Sequence, residues 1–407
     1  MSWRVSSLDS LCTKVYSGGT PSTNVDAYYG GEIPWLRTQE VTFNRIKDTE
    51  AKITDAGLKN SAAKWVPANS VIVAMYGNSA GRSAITEIPL TTNQACCNLV
   101  VDEEKADFRF VFYSLLLGYE RLKGLSRGAA QNNLNAAQVK AFEINTPSVH
   151  VQRAIGDLVS SYDDLIENNR RRMALLEESA RLLYREWFVR LRFPGYEHTP
   201  IVDGVPQGWL SVPLGAICTK IGSGFTPRGG EASYRSEGVT LIRSMNVYDD
   251  RFDDGGLAFL SDEQAATLAG VTVESKDILI NITGASVARC CMAPERYLPA
   301  RVNQHVMIIR VDPEKADPFF VHKAINSDGQ KRQLLSYARK GSTREALTKD
   351  EMARFEVTLP TTTLLRQFGE IAATAFRQRE VLALQNQKLR TARDLLLPRL
   401  MSGELAV

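Results

Sequence analysis

Two long stretches of the chain have the hydrophobic spacing of an amphipathic α-helix. Residues 151–192 contain no proline, and their apolar positions recur at intervals of four and three. That line contains one polar residue, Asn169, and otherwise consists of Ile155, Val159, Tyr162, Ile166, Met173, Leu176, Ala180, Leu183 and Trp187. Residues 364–400 keep an apolar line at seven-residue intervals, and Arg379 and Asn386 interrupt a second line. The spacing predicts two coiled-coil helices, in which polar seam residues typically fix the register.

The end and the outer face of these helices allow two further predictions. We expect the second helix to kink or end near Pro398, which has no amide hydrogen, and Gly403 suits a terminus. Leu175, Leu182 and Phe188 lie outside the seam of the first helix. A helix that is apolar on more than one side is usually buried on more than one side. Contact with its own domain and contact with a partner protein explain this pattern equally well.

Each long helix follows a mixed region of about 150 residues. Short β-rich runs, such as residues 70–75 and 277–282, alternate there with Gly, Pro, Ser and Thr. Residues 193–208 contain three prolines and are typical of a linker. We therefore predict an α+β protein with mixed α/β domains at residues 1–150 and 209–363. A spacer helix at 151–192, the linker at 193–208, and a second helix with its tail at 364–407 complete the chain.

The chain is a tandem repeat with a period of just over 200 residues. An internal repeat indicates that one fold occurs more than once in the chain. Residues 11–21 read LCTKVYSGGTP and residues 217–227 read ICTKIGSGFTP, with seven of eleven positions identical. VIVAMYGNSAGR at residues 71–82 matches ILINITGASVAR at 278–289, and the dipeptide Asn-Gln recurs at 93–94 and 303–304. Both halves should therefore share one fold, in a pseudo-two-fold arrangement with the two helices antiparallel.

The composition is that of an ordinary globular protein, with 407 residues, 44% hydrophobic residues and a net charge of +3. A protein that bound DNA only through its phosphates would usually be more basic. Local basic patches or partner subunits would therefore have to supply much of any affinity for DNA. No stretch approaches the roughly 18 apolar residues of a membrane helix. Residues 1–11 do not look like a signal peptide, so we expect a cytoplasmic protein.

The sequence lacks the motifs of nucleotide, metal and cofactor chemistry. Six cysteines form no C-x-x-C pair, which favours buried reduced thiols over metal binding or disulfides. The loop at residues 222–227 lacks the third glycine of a dinucleotide site, and no G-x-x-x-x-G-K-[ST] occurs. The tetrapeptide N/D-P-P-Y/F of amino-methyltransferases is absent, and the four histidines fit no triad. These absences disfavour an enzyme, and we expect no metal site.

Three local sequences resemble those of type I restriction–modification specificity subunits. Residues 395–405, LLLPRLMSGEL, are similar to the characteristic tail of that family, and residues 165–188 are similar to its central helix. The sequence Ser-Gly-x-Thr-Pro opens each domain, at residues 17–21 and 223–227. The resemblance covers essentially the whole chain, because two variable domains that are each followed by a long helix form the family's layout.

The resemblance implies that each domain is a target-recognition domain that reads one half of a split, asymmetric DNA site. The paired helices would act as a spacer and as the docking surface for two methyltransferase subunits. Those subunits would bring S-adenosylmethionine and methylate an adenine in each half site, and two ATP- and Mg-dependent restriction subunits would add translocation and cleavage. This chain would bind no cofactor and catalyse nothing.

Two other interpretations remain open from the sequence. A coiled-coil scaffold would assemble partners without reading DNA sequence. A stand-alone nuclease or methyltransferase would be active by itself, although no motif supports it. The persistence of polar Gly, Thr and Lys loops in both halves argues against a mere scaffold, because such loops are not needed only to hold two cores together.

Four loops in each half concentrate the residue types that contact bases and phosphates. They are residues 14–21, 37–39, 76–82 and 127–133 in the first half, and 220–228, 243–246, 283–289 and 339–344 in the second. Residues shared by both halves suit backbone contacts, and residues that differ suit base reading. The predicted DNA-binding residues are Lys14, Thr20, Arg37, Gln39, Tyr76, Asn78, Arg82, Arg127, Gln131, Asn132, Lys220, Thr226, Arg228, Arg243, Asn246, Ser286, Arg289, Arg339, Lys340, Ser342, Thr343 and Arg344.

Overall fold

The computed structural model of the chain describes residues 3–128, 133–227, 229–339 and 345–407. It divides into two compact units. The first unit consists of Met1–Glu167 together with Gln387–Val407, and the second is Asn168–Asn386. Each unit therefore contains one mixed α/β domain and a stretch of each long helix, so the units do not end where the predicted domains end.

The first unit is built on two sheets and a short ribbon. One sheet has the strand order β2-β10-β7-β8-β4 and the other β5-β3-β9-β6, while β1 pairs with β11. The strands are β1 (Arg4–Ser7), β2 (Cys12–Ser17), β3 (Tyr29–Leu36), β4 (Asn44–Ile46), β5 (Ala51–Ile53), β6 (Trp65–Val66), β7 (Val71–Ala74), β8 (Ser83–Thr86), β9 (Leu90–Thr92), β10 (Cys96–Val101) and β11 (Glu143–Thr146).

The second unit repeats this topology. Its sheets have the orders β15-β24-β21-β22 and β19-β16-β23-β20, and β14 pairs with β25. The strands are β12 (Ile201–Val202), β13 (Val205–Pro206), β14 (Leu210–Pro213), β15 (Cys218–Ser223), β16 (Val239–Ile242), β17 (Val247–Tyr248), β18 (Arg251–Phe252), β19 (Ala258–Leu260), β20 (Thr272–Val273), β21 (Ile278–Asn281), β22 (Cys290–Met292), β23 (Ala300–Val302), β24 (Val306–Val311) and β25 (Glu356–Leu359).

The strand pairings confirm that both halves share one fold. In each unit the second sheet mixes one parallel pair, β3 with β9 or β16 with β23, with antiparallel neighbours. The two units differ at one edge. In the first, β4 joins the larger sheet beside β8, whereas the corresponding segment of the second unit forms the separate hairpin of β17 and β18. The predicted β-rich runs at residues 70–75 and 277–282 correspond to the buried strands β7 and β21.

Eleven α-helices occur in the described residues, and two of them are long. The helices are α1 (Asp55–Lys59), α2 (Phe108–Leu117), α3 (Tyr119–Gly124), α4 (Ala136–Ala141), α5 (Val149–Tyr184), α6 (Leu214–Ile217), α7 (Asp262–Thr267), α8 (Pro318–Asn326), α9 (Asp328–Arg339), α10 (Lys349–Arg354) and α11 (Thr362–Met401). Helix α5 begins two residues earlier than predicted and passes at Arg185–Val189 into a π-helical turn. Helix α11 continues through Pro398 and ends three residues later, close to Gly403, which has a φ of 75°.

The predicted seams lie in the cores of the two units. In the first unit, Ile155 and Val159 of α5 and Leu397 and Leu400 of α11 join the same buried cluster. In the second unit, Phe368 is completely buried among residues that include Leu183 and Trp187. Because higher residue numbers of one helix meet lower numbers of the other in each cluster, α5 and α11 run antiparallel within each unit. Burial of an apolar side chain contributes roughly 1.5–3 kcal/mol, which is the main stabilisation of such a seam.

Each long helix approaches its domain at a glycine. Gly156 of α5 lies against Asp107, which caps α2, and Gly369 of α11 lies against Asp317, which caps α8. A Cβ atom at either glycine would overlap the capping carboxylate. The two halves therefore share the contact between the long helix and its domain, as well as the fold of the domain.

The predicted free thiols are confirmed. All six cysteines are unpaired, and five of them are buried. Burial raises the pKa of Cys12 and of Cys97 to about 12, which keeps both thiols protonated at neutral pH. Within the described residues, no helix has the length and apolar character required to cross a bilayer.

Candidate nucleic-acid interface

The first predicted loop of each half begins inside a strand, because Lys14 belongs to β2 and Lys220 to β15. The residues after the strand form the loop, which is anchored to the neighbouring sheet. Gly18 donates its amide to the Cys96 carbonyl at 3.2 Å, and Gly224 donates to the Asn303 carbonyl at 3.2 Å. A side chain at Gly18 or Gly224 would overlap the backbone of Thr92 or Val302, so only glycine permits this approach. Thr20 is hydrogen-bonded to Gln94, and Thr226 to Gln304 in the same way. The Ser-Gly-x-Thr-Pro repeat thus forms a fixed loop.

The second loops place an arginine at the first position of a single 3₁₀ turn. The guanidinium group of Arg37 forms ion pairs with Glu50, at 2.7 Å, and with Glu40. Arg243 forms an ion pair with Glu231 at 2.9 Å and donates to the Gly256 carbonyl at 2.6 Å. Both arginines, predicted to bind DNA, are therefore engaged within their own domains and position the turn. Gln39 beside Arg37 is exposed.

The structure corrects the prediction for Asn246. This side chain is completely buried. Its amide donates to the carbonyls of Asp253 and Gly255, and its oxygen accepts the Arg243 amide. Glu40 has the same role in the first half, where it accepts the Arg37 amide. A polar residue three positions after the first residue of a turn is the sign of a capping box, and this signal was present in the sequence.

The third loops, which follow β7 and β21, carry the most accessible predicted residues. Tyr76 and Asn78 are exposed, and Arg82 is half-buried. In the second half, Ser286 and Arg289 are half-buried, and Arg289 stacks on the Tyr248 ring at 4.8 Å from its centroid. Both loops turn at a glycine in the left-handed region, Gly77 (φ 65°) and Gly284 (φ 72°).

The fourth loops are only partly described. Arg127 lies where the backbone alone is described, and Gln131, Asn132, Arg228, Lys340, Ser342, Thr343 and Arg344 lie outside the described residues. The flanking residues are well defined. Leu134 donates to the Met75 carbonyl at 2.7 Å, and Leu347 donates to the Ile282 carbonyl at 2.8 Å. Arg339 is paired with Glu345 at 3.0 Å. The fourth loop of each half therefore begins or ends beside the third.

A short central segment connects the first three loops in each half. In residues 92–96, Thr92 accepts the Gly19 amide, Asn93 donates to the Leu36 carbonyl, and Ala95 accepts the Met75 amide. These contacts join the first, second and third loops.

Residues 302–306 make the corresponding contacts in the second half. Asn303 donates to the Ile242 carbonyl and accepts the Gly224 amide, and the His305 carbonyl accepts the amide of Ile282. The first three predicted loops therefore meet at one face of each domain, and described residues that flank the fourth loop lie beside the third. We call these two faces the first and second recognition faces.

The central segments contain residues that the site prediction missed. Gln94 and Gln304 are both exposed, and each is hydrogen-bonded to the threonine of the first loop of its own half, Thr20 or Thr226. His305 follows Gln304, and its ring contacts Thr283 at 2.6 Å. The sequence signal was the repeated Asn-Gln dipeptide, which marks a shared feature but does not reveal that the segment touches three loops.

The recognition faces have few unpaired cations. Lys220 donates to the Gly270 carbonyl at 2.7 Å, so it is held within its domain. Among the described residues, Lys14 and Arg82 form no ion pair, and Arg289 is held only by its stacking on Tyr248. In the described part of both faces, polar groups rather than a dense basic patch therefore dominate, and Arg228, Lys340 and Arg344 of the predicted loops lie outside that part. Polar groups of this kind suit base reading.

Aromatic side chains differ between the two faces. Trp35 is buried and donates its indole hydrogen to the Gly19 carbonyl at 3.0 Å, so it supports the first loop from below. Phe225 stands at the position equivalent to Gly19 and is exposed. Tyr76 is exposed on the first face, where the second face has Thr283. Each face thus presents one exposed ring, from a different loop.

Comparison with known proteins identifies similar chains. Residues 1–178 match the family model described as the type I restriction modification DNA specificity domain. The chain is 26% identical over 413 residues to the type I restriction enzyme MjaIX specificity subunit of Methanocaldococcus jannaschii, covering 97% of this chain and 91% of that protein. It is 21% identical to the HindI specificity subunit of Haemophilus influenzae, covering 96% of this chain and 99% of that protein.

A solved structure shares the fold. The type I restriction–modification S subunit from M. genitalium superposes with a TM-score of 0.65 at 16% identity, covering 98% of this chain and 96% of that one. The predicted fold class, with two repeated mixed α/β domains and two long helices, is thereby confirmed.

Proposed function

Residues 1–178 match the family model of the type I restriction modification DNA specificity domain, and from this match we propose that the chain determines the DNA sequence specificity of a type I restriction–modification complex. Each recognition face would read one half of a split, asymmetric site. The observation that carries the proposal is the paired architecture of the faces. In each half, the first three loops contact one central segment, residues 92–96 or residues 302–306. The framework of these loops is shared between the halves, whereas their exposed side chains differ.

The shared and the differing residues have separate roles in this proposal. The bonded pairs of Thr20 with Gln94 and of Thr226 with Gln304 cannot distinguish two half sites, because they are alike. They would fix the loops and contact the DNA backbone. Asn78 corresponds to Ala285, and Tyr76 to Thr283, so these positions would contribute to different base preferences.

The partners of this chain would supply the catalysis. We propose that two methyltransferase subunits bind the long helices, with S-adenosylmethionine as their cofactor, and that restriction subunits add ATP- and Mg-dependent cleavage. Support comes from exposed apolar side chains along the helices, namely Leu165, Leu175, Val381 and Leu395. Exposed apolar residues on long helices commonly mark contacts with other proteins. The same residues would suit an assembly scaffold, which is the second candidate function.

Methylation mapping distinguishes the two candidates. Single-molecule sequencing would compare genomic DNA from cells that contain this chain and its methyltransferase with DNA from cells that lack only this chain. We expect methyladenine at one split motif that disappears with the deletion and returns with the restored gene. An unchanged methylation pattern, with an active methyltransferase, would favour the scaffold over sequence recognition.

A further inference from the structure

Three polar contacts interrupt the apolar seam between α5 and α11. In the first unit, Arg393 of α11 donates to Asp163 of α5, which also accepts the Tyr113 hydroxyl at 2.6 Å. In the second unit, the buried Asn169 of α5 donates to the buried Asn386 of α11 at 3.0 Å. Each of these first two contacts across the seam joins a side chain of α5 to a side chain of α11.

The third contact across the seam is an ion pair in the second unit. It places the acid and the base on the same helices as the pair of Asp163 and Arg393 does. Arg379 of α11 donates to Glu177 of α5, and both side chains are largely buried. In both ion pairs the acid therefore belongs to α5 and the base to α11. The two helices arose as repeats, but their polar positions have become complementary instead of identical.

A self-pair would consist of two α5 helices or two α11 helices from two copies of the chain. The sequence repeat gives the register in which such helices would meet. Gly156 and Gly369 pack on equivalent capping aspartates, and the leucine pair at residues 182–183 corresponds to the pair at 395–396. The offset is the same at both places. Each residue of α5 can therefore be assigned an equivalent in α11, and each contact can be rewritten for a pair of identical helices.

A pair of two α5 helices would lose all three polar contacts. Asp163 would face Ala180, the equivalent of Arg393, and Glu177 would face Ile166, the equivalent of Arg379. Asn169 would face Met173. Asp163 would keep the Tyr113 hydroxyl, but the buried Asn169 and the largely buried Glu177 would lose their partners across the seam. Burying an amide or a carboxylate without a polar partner is unfavourable, so this pair would be weak.

A pair of two α11 helices would be no better. Arg379 would face Arg390, which places two like charges together, and Arg393 would face Phe376. Asn386 would face Leu382. A polar seam residue that meets an apolar one is a common way to exclude a wrong pairing of helices.

We infer that the helix pair is heterospecific: each half of this chain pairs with the other half and disfavours a second copy of itself. The partner that fits α5 is thus a helix with the bases and the asparagine of α11. The consequence is that every assembled particle carries one first and one second recognition face. The inference does not depend on the proposed function, because it concerns only the association of the two halves.

A cut chain tests the inference. A protease site is inserted at the exposed turn of Asp203 and Gly204, between β12 and β13, and the folded full chain is cleaved there. The two fragments remain together in one sample, are dissociated in urea and are refolded as a mixture. Native mass spectrometry then counts mixed pairs and self-pairs. We expect the mixed pair to exceed either self-pair by at least about tenfold, because a self-pair buries unpaired polar groups.

A second arm avoids the need for refolding. Cut chains with light and heavy isotopes are mixed and allowed to exchange fragments in urea below the unfolding transition. Exchange should produce light–heavy mixed pairs and essentially no self-pairs. A statistical mixture of mixed pairs and self-pairs in either arm would overturn the inference.

A substitution in the seam supplies the matched comparison. Asn169→Leu introduces the residue found at the equivalent position 382, and it removes the hydrogen bond from Asn169 to Asn386 in the mixed pair. We expect this variant to raise the share of self-pairs of the first fragment several-fold. Asn168→Leu changes the exposed neighbour and should leave the distribution unaltered. Equal distributions for both variants would contradict the role assigned to the asparagine pair.

Discussion

Asn78 is an exposed side chain on the first recognition face, and its equivalent in the second half is Ala285. An asparagine amide can pair with both hydrogen-bonding atoms of an adenine edge, which an alanine cannot. We expect Asn78→Ala to relax the base preference at one position of a single half site, with a loss of about 1–3 kcal/mol in discrimination. Methylation mapping of the variant would show a degenerate base in one half of the motif.

The control for Asn78 is Asn168→Ala, which removes an equally exposed amide from α5. It should leave the motif unchanged. If Asn78→Ala also leaves every position of the motif unchanged, Asn78 does not read a base.

Phe225 is an exposed ring on a loop that Gly224 and Thr226 hold rigidly. Stacking of a base on an aromatic side chain contributes about 1–3 kcal/mol, and apolar wedges are used to open base steps. We expect Phe225→Ala to weaken binding of the complex to its site by roughly tenfold. Fluorescence anisotropy with labelled duplexes would measure this change.

The thermal midpoint should stay constant in Phe225→Ala, because the ring is exposed and packs on little of its own domain. Phe225→Leu keeps an apolar side chain and should retain more of the affinity. Equal affinities of the wild type and Phe225→Ala would remove the ring from the interface.

The sequence identified the loops of the candidate site better than their individual residues. The repeat pointed to four loops in each half, and the described residues of the first three meet at one segment. The type of a residue does not show whether its side chain is buried. Asn246, Arg37 and Arg243 were therefore predicted to contact DNA, although their side chains stabilise turns. Gln94 and Gln304 were missed, because their role depends on contacts between strands distant in the sequence.

At the scale of elements, the contact between a long helix and its domain depends on a glycine. The Cβ of an alanine at position 156 would lie 2.8 Å from Asp107 Oδ1, which accepts the amides of Arg109 and Phe110. We expect Gly156→Ala to lower the free energy of unfolding by about 1–3 kcal/mol, because the capping carboxylate must move. Urea denaturation would measure the loss.

Gly124→Ala is the matched control, since open space surrounds Gly124 at the end of α3. This substitution should be neutral or stabilising. If Gly156→Ala were as neutral or stabilising as Gly124→Ala, the contact with Asp107 would not decide the effect.

A buried group of charged residues in the second unit makes its stability depend on pH. His322 of α8 is buried beside Asp250, whose carboxylate lies 3.4 Å from His322 Nε2, and beside Asn326. Burial lowers the pKa of His322 below its usual value of about 6.5. The unfolded chain therefore binds a proton that the folded unit excludes. The free energy of unfolding falls as the pH drops below about 6.5.

Urea unfolding at pH 7.5 and 5.5 tests this dependence. His322→Gln removes the titrating ring, so it should reduce the loss between the two pH values by up to about 1.4 kcal/mol per pH unit. The quantity compared is the difference in the free energy of unfolding between the two pH values, not the stability of the variant at one pH. If the wild type and the variant lose the same stability between the two pH values, His322 does not carry the effect.

At the scale of the whole chain, the sequence predicted the repeated fold but not the composition of the compact units. Heptad spacing shows that Leu382 and Ile166 belong to seams, and both are buried. It does not show which domain each part of a helix packs against. That choice depends on side chains distant in sequence, such as Phe110, which shares a buried cluster with Leu397 and Leu400. The first unit is therefore completed by the last residues of the chain.

This composition leads to a prediction about the C-terminal end of α11. Leu400 is buried in the core of the first unit, whereas the nearby Leu395 is exposed. We expect Leu400→Ala to cost about 2–5 kcal/mol and Leu395→Ala to cost little. Hydrogen exchange should show the loss in β7 and β10, which lie far earlier in the sequence, while β21 and β24 keep their protection. Loss of protection in β21 and β24 instead would mean that the end of the chain stabilises the second unit, and the division into units would have to be redrawn.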